Sequence, residues 1–290
     1  MIIGGSVMAE ILKGKPVADA IRDNLIKDIE VLKEKGVTPT LAVVRVGNRT
    51  DDVSYENSIL KRCSTMGIET KLFTLDSCIE MEEFIDVLDG INKDENIHGI
   101  LTFRPFPKHL DAEVINGFIN AEKDSDCMNP ENLEKIFEGK MDGVMPCTPE
   151  AVMEIIKFYG YNLEGKNIAV INRSMVVGKP LSMMLLAENA TVTICHSKSK
   201  NLAEITSKAD IVITAVGRAN MLDNSYFNKD SVVIDVSIND AGNGKICGDV
   251  NFELVKENVA AITPVPGGVG SVTTNLLLKH VVEACKNLYM

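Results

Sequence analysis

Tyr55 and Ile59, in the stretch VSYENSILKRC (53–63), lie four residues apart on a segment patterned as a helix, so they project from one face. A tyrosine there can orient a substrate, whereas an isoleucine can do no acid–base chemistry. A second constellation starts at the strand-like KNIAVIN (166–172), passes through RSMVVG and opens a helix at Pro180. Strand–loop–helix units of this kind cradle a pyrophosphate, because the helix N-terminus supplies unpaired N–H groups and a positive dipole end. The spacing is not G-x-G-x-x-G. Gly178 is the only glycine of the loop, and Asn172 stands at the first turn position, where its tolerance of left-handed backbone keeps the turn feasible. An ordinary α/β connection would also read this way.

The next strand, TVTIC (191–195), runs into His196, Ser197, Lys198, Ser199 and Lys200 with no carboxylate to bind a ribose 2′-hydroxyl. Arg173, in the first loop, should lie close to that position. A pocket of Arg, Ser and Lys would accept a 2′-phosphate and leave NAD less well held; the alternative is a solvated basic loop.

The elements that must position these residues alternate along the chain. A helix opens near Pro16 and stops at Gly36, TLAVVRVG (40–47) suits a buried strand, and residues 53–66 are helical. ETKLFTL, IEMEEFIDVLDGI and HGILTF (98–103) continue as strand, helix and strand, an order that implies a parallel sheet with right-handed crossovers. In the second half KNIAVIN, TVTIC, DIVITAV (210–216) and SVVIDVSI (231–238) read as further buried parallel strands, and NLLLKHVVEACKNLY as a terminal helix. The fold class is α/β in two domains, with a boundary near Thr148.

The bulk numbers agree. A chain of 290 residues, 45% hydrophobic and 24% charged, has the make-up of two globular domains. A net charge of -11 argues against a broad nucleic-acid surface but not against an anionic small molecule. The seven scattered cysteines include no C-x-x-C pair, which suits reduced thiols better than disulfides or a zinc site. The start shows no signal-peptide pattern, residues 1–7 read either as an upstream extension or as a cloning scar, and no apolar run approaches membrane-spanning length.

Ten segments in order, LAVVRVG, SYENSILKRCSTMGI, GILTFRPFP, EKDSDCMNP, PCTP, NRSMVVGKPLS, CHSKSKNL, VIDVSIN, GDVNF and ITPVPGGVGSVT, make the chain resemble the bifunctional methylenetetrahydrofolate dehydrogenase/methenyltetrahydrofolate cyclohydrolase family over nearly its whole length. The resemblance implies an N-terminal α/β folate-binding domain (8–148 plus 273–290) and a C-terminal Rossmann-type NADP-binding domain (149–272). It also implies tetrahydrofolate derivatives as substrates and a cytoplasmic homodimer. It places cofactor binding on Asn172, Arg173, Ser174, Ser197 and Ile238, with Asn172 where the family has glycine. Tyr55 would stack on or orient the pterin, and Asp126 would bind the pterin's amino and ring N–H groups. Pro266, Gly267 and Gly268 would border the cleft between domains. Cys127 and Met128 replace the usual Gly-Phe, and Ser271 replaces a proline. Taken alone, a tyrosine on a helix face is usually packing and an aspartate before a turn is usually a cap.

In that family a lysine follows the tyrosine by four residues, and a glutamine precedes the Pro-x-Pro turn; here those positions hold Ile59 and Phe103. Lys61 lies roughly 200° around the helix from residue 59, and Arg104, next to Phe103 on a strand, should point to the opposite face. Hydride transfer from a methylene bridge moves no proton, but hydrolysis of the methenyl cation needs water activated and a ring nitrogen made a leaving group. The expectation is an NADP-dependent 5,10-methylenetetrahydrofolate dehydrogenase with weak or absent cyclohydrolase activity. The alternatives are a fully bifunctional enzyme and a non-catalytic folate- or NADP-binding homologue.

Overall fold

β-Branched apolar runs bounded by glycine and proline become short parallel strands, and the amphipathic segments between them become helices that cover the sheets. The structure is a computed structural model that describes residues 8–242 and 244–289; the expected extension at 1–7 lies outside them. Numbered along the chain, the elements are β1 (Glu10–Ile11), α1 (Gly14–Glu34), β2 (Thr40–Val46), α2 (Thr50–Met66), β3 (Glu69–Leu75), α3 (Met81–Lys93), β4 (Gly99–Thr102), α4 (Ala112–Phe118), α5 (Pro130–Phe137) and α6 (Cys147–Phe158). There follow β5 (Asn167–Ile171), α7 (Gly178–Ala187), β6 (Thr191–Cys195), α8 (Leu202–Thr206), β7 (Ile211–Thr214), β8 (Val232–Asp235), β9 (Asn239–Gly242), β10 (Lys245–Cys247), α9 (Phe252–Val255), β11 (Ala261–Ile262) and α10 (Thr273–Tyr289). Two compact units result among the described residues: 19–147 with 274–289, and 8–18 with 148–273. No helix among the described residues is long and apolar enough to cross a membrane, and none of the seven cysteines is in a disulfide.

The unit built on residues 19–147 has a three-stranded parallel sheet in the order β3-β2-β4. All seven residues of the central strand β2 are buried, and Ala42, Val44 and Val46 pack with Phe84, Leu88, Ile91 and Ile100. The alternating face of β2 carries a buried charge, Arg45, whose Nε donates to Glu56 Oε2 of α2 at 2.9 Å, with both side chains under a tenth exposed. Its guanidinium also donates to Gly47 O and to Asn48 Oδ1. The pair ties α2 to the sheet at one rotation. On the other side, α10 lies so close to β4 that a Cβ at Gly99 would come within 2.6 Å of Val281 and 2.5 Å of Ser125.

The other unit has a parallel sheet in the order β1-β11-β8-β7-β5-β6, beside a β9–β10 hairpin. Its core joins Ala169 and Ile171 with Val212, Val233, Leu222, Val250 and Ile262. Residues 8–18, expected in the first domain, belong to this unit instead, with Glu10 and Ile11 pairing with Ala261 and Ile262 at the edge of this sheet. A two-residue strand is too short to show a period, and its pairing is set by a partner some 250 positions away in sequence.

Beyond the carboxyl ends of these strands, Asp249, fully buried, gathers five donors: Thr214 Oγ1 (2.8 Å), Val216 N (2.6 Å), Arg218 N (2.8 Å), Ser237 Oγ (2.7 Å) and Asn239 Nδ2 (3.1 Å). Burial pushes its pKa up, but these donors outweigh burial and hold it below the usual carboxylate value. Asp235, at the end of β8, behaves in the opposite way. Burial pushes its carboxyl up to about 7 despite the N–H of Val250, and the nearby Asp249 charge adds to the rise.

Two measurements check this scaffold. Glu56→Ala leaves Arg45 as a buried charge without its carboxylate and should cost about 3–5 kcal/mol in denaturant unfolding, whereas Arg45→Met with Glu56→Leu should recover most of that loss. Asp235 binds its proton more tightly folded than unfolded, so its contribution to stability is complete below its unfolded pKa and disappears as pH rises to about 7. Wild type should therefore lose stability relative to Asp235→Asn between about pH 4 and pH 7 and show no further relative loss above that. A constant difference across that range would contradict the assignment.

Candidate functional site

α2 carries Tyr55 and Ile59 to very different environments. Tyr55 is 44% exposed, while Ile59 is completely buried. The Tyr55 ring packs against Phe103, with centroids 5.4 Å apart and planes tilted by 39°. Phe103, 6% exposed, follows β4 and is fixed by its N–H donating to Val44 O at 3.0 Å. Tyr55 thus stands on an apolar floor. Desolvation pushes its hydroxyl up to about 12, and the negative charge of Asp126 adds to the rise.

The turn Lys123–Asp126 contains two carboxylates with separate tasks. Asp124, 1% exposed, accepts from Asp126 N, Asn129 N and Asn132 Nδ2 and so organises the turn. Asp126 has none of that capping work. Its side chain, 30% exposed, faces Arg104 Nη2 at 3.4 Å. Burial raises its pKa, while Arg104 and a hydrogen bond from Cys147 oppose the rise. Cys147 also lies against His280, whose Nδ1 donates to Ser125 O at 2.9 Å. Arg104, expected to turn away from Phe103, instead reaches Asp126, because β4 ends at Thr102 and strand alternation does not extend to it. Arg104, Cys147 and His280 were missed as neighbours of Asp126. Only the PCTP segment around Cys147 gave a sequence signal. Cys127 next to Asp126 has a left-handed φ of 54°, a conformation that favours glycine.

The nucleotide-side residues collect at the carboxyl ends of adjacent parallel strands, where α/β sheets bind ligands. Ile171 of β5 pairs with Cys195 of β6, so Arg173 and Ser197 both lie two residues beyond a paired position. Arg173, Ser174, Ser197, Lys198 and Lys200 are all exposed. That donor set, two hydroxyls and three cations with no carboxylate among residues 196–200, suits a 2′-phosphorylated dinucleotide. The turn is tight: a Cβ on Gly178 would lie 2.1 Å from Asn172 O.

The expectation of unpaired N–H groups at the N-terminus of α7 does not hold. Asn172 Oδ1 accepts from Ser174 N (2.7 Å) and Gly178 N (3.0 Å), and its Nδ2 donates to Ala215 O at 2.6 Å. Val177 N donates to Ser174 Oγ, Lys179 N to Ser174 O and Leu181 N to Val177 O, while Pro180 has no N–H. The loop N–H groups without a protein acceptor among the described residues are those of Arg173, Met175 and Val176.

Ile238, 62% exposed, shares the wall of a cavity of about 190 Å³ with Pro266, Gly267, Gly268 and the end of β8. Gly267 O accepts from Gly14 N at 2.8 Å, and a Cβ on Gly14 would meet Gly268 O at 2.0 Å, so the glycine loop is held against the start of α1. The structure therefore groups Tyr55, Asp126 and Phe103 in one unit, and groups Asn172, Arg173 and Ser174 with Ser197, and Ile238 with Pro266–Gly268, in the other.

Residues 12–126 match the tetrahydrofolate dehydrogenase/cyclohydrolase catalytic domain, and residues 146–289 match the NAD(P)-binding domain of the same family. The chain is 59% identical over 279 residues, 96% of its length and 99% of the relative's, to the bifunctional protein FolD of Clostridium botulinum. It is similar in structure to the bifunctional FolD methylenetetrahydrofolate dehydrogenase/cyclohydrolase of Campylobacter jejuni, with a TM-score of 0.94 at 38% identity over 97% of this chain and 99% of that one. It is also similar to the Trypanosoma brucei dehydrogenase–cyclohydrolase solved with NADP and an inhibitor, with a TM-score of 0.90 at 30% identity over 98% of this chain and 100% of that one. Matched over both its halves, this chain belongs to the tetrahydrofolate dehydrogenase/cyclohydrolase family.

Proposed function

We propose that the chain oxidises 5,10-methylenetetrahydrofolate to 5,10-methenyltetrahydrofolate with NADP, and that it hydrolyses the methenyl product weakly or not at all. Folate chemistry is assigned to residues 19–148 and 273–290 and nucleotide binding to 149–272, with residues 8–18 belonging to the unit of the second sheet. The family and its relatives support the dehydrogenase reading; the observation that carries the finer one is the buried, wholly apolar pair Ile59 and Phe103 beside Tyr55.

Bound NADP would supply the hydride acceptor, held through Arg173, Ser174 and Ser197. The chain's own residues then have to place the folate. Asp126, its charge balanced by Arg104, would accept the pterin's amino and ring N–H groups. The Tyr55 ring would lie against the folate, backed by Phe103 so that it cannot retreat. Oxidation of the methylene carbon requires position and no proton transfer. Hydrolysis requires a group that moves protons to and from water and the ring nitrogen. At Ile59 and Phe103, the positions of the family's lysine and glutamine, neither side chain can do so. Tyr55, its hydroxyl pushed up to about 12, is a poor base near neutrality.

A fully bifunctional enzyme that releases 10-formyltetrahydrofolate is the second reading, favoured by the bifunctional name of the relative at 59% identity. A cytoplasmic homodimer fits the proposal as well: β6 is an edge strand of its sheet and carries Ile194, 39% exposed.

With methylenetetrahydrofolate, purified protein should build up methenyl absorbance with NADP and much less with NAD. Equal rates with both nucleotides would remove the 2′-phosphate argument. Ile59→Lys combined with Phe103→Gln should raise methenyl hydrolysis by up to roughly 10²-fold. No gain in a folded double variant that still oxidises substrate would show that the defect, if any, lies elsewhere.

A further inference from the structure

The Asn172 side chain is the one feature of the nucleotide loop that the proposed reaction does not explain. A glycine at this turn leaves the following N–H groups open to a diphosphate. Here the carboxamide sits among them, accepting from Ser174 N and Gly178 N at 2.7 and 3.0 Å and anchored through its Nδ2 to Ala215 O at 2.6 Å. Three hydrogen bonds from one half-buried side chain make it a fixed part of the loop. The remaining donors of the first turn of α7 are satisfied within the loop and helix, or, at Pro180, do not exist.

We propose that Asn172 is a built-in occupant of the diphosphate cradle, so that nucleotide affinity rests on the 2′-phosphate contacts of Arg173 and Ser197. The inference rests on the reading of this loop as the NADP site. Its consequence is selection by subtraction. With the helix N-terminus closed internally, a dinucleotide lacking the 2′-phosphate has only the N–H groups of Arg173, Met175 and Val176, hydroxyls and general charge to hold it. One that carries it gains a charge-assisted contact to Arg173, with no carboxylate among residues 196–200 to compete. Asn172 is thus a positioning residue that tunes affinity for the part of the cofactor NAD and NADP share, leaving discrimination to the part they do not.

Asn172→Gly separates this role from simple support of the loop, because the two predict opposite signs. Freeing two N–H donors should tighten NADP and NAD in parallel, by about three- to tenfold, and leave adenosine 2′-phosphate unchanged in titration calorimetry. In nucleotide-free protein, hydrogen exchange at the Gly178 amide should accelerate at the same time. Asn172→Asp retains an acceptor oxygen for both N–H groups, loses the donation to Ala215 O and adds a negative charge. The Gly178 amide should stay protected while NADP and NAD both weaken. Weaker binding of both nucleotides by the glycine variant would overturn the proposal, as would wild-type binding by the aspartate variant. If wild-type protein binds neither NADP nor adenosine 2′-phosphate, the NADP assignment itself falls, an outcome distinct from any change between variants.

Discussion

The rotation of α2 is the constraint on which the folate side of the molecule depends, and the buried Arg45–Glu56 pair sets it. A helix lying on a sheet can trade apolar contacts among several faces at modest cost, but a desolvated guanidinium accepts only the rotation that delivers its carboxylate. With Glu56 turned down onto β2, Ile59 is carried into the core and Tyr55 to the edge of the exposed face, where Phe103 backs it. The alkyl group at residue 59 is therefore located by the same charge pair that locates the tyrosine. Lys61 is exposed on the outer surface of that helix.

Carboxylates divide the labour elsewhere. Asp124 ties its turn together, and Asp249 joins the ends of β7 and β8 to the hairpin that follows. Each is satisfied by several short donors, which is what makes a buried carboxylate tolerable. Asp126 stands apart, half-open to solvent, with a guanidinium at 3.4 Å and no capping bonds of its own. Backbone donors spent on Asp124 leave Asp126 free to meet a ligand. On the nucleotide side Asn172 takes a comparable part, since its carboxamide uses donors that would otherwise face the cofactor.

What the amino-acid sequence alone reveals follows from the range of each interaction. The alternation of apolar runs and amphipathic segments fixed the α/β class, because burial on two faces of a parallel sheet leaves a local pattern. The strand–loop–helix unit at 166–180 was legible for the same reason, and the absence of acid after TVTIC needed only sequence to be seen. β1 was not legible, since two residues carry no period and their partner is far along the chain. Nor was Arg104's contact with Asp126, which depends on β4 ending one residue early. The reversal at Asn172 was hidden for a different reason. Residue type pointed only to tolerance of left-handed backbone, which Asn172 does not use since it is not among the residues with positive φ; the side chain's hydrogen bonds to Ser174, Gly178 and Ala215 could only be found in three dimensions.

The central claim is that this site moves a hydride and leaves water alone. The most direct measurement is the lifetime of methenyltetrahydrofolate, added as substrate to the purified wild-type chain and followed by its absorbance at neutral pH. The account predicts decay close to the spontaneous rate at any enzyme concentration, from a protein that oxidises the methylene form with NADP. Decay that accelerates in proportion to enzyme, by the roughly 10²-fold or more that acid–base catalysis supplies, would contradict it.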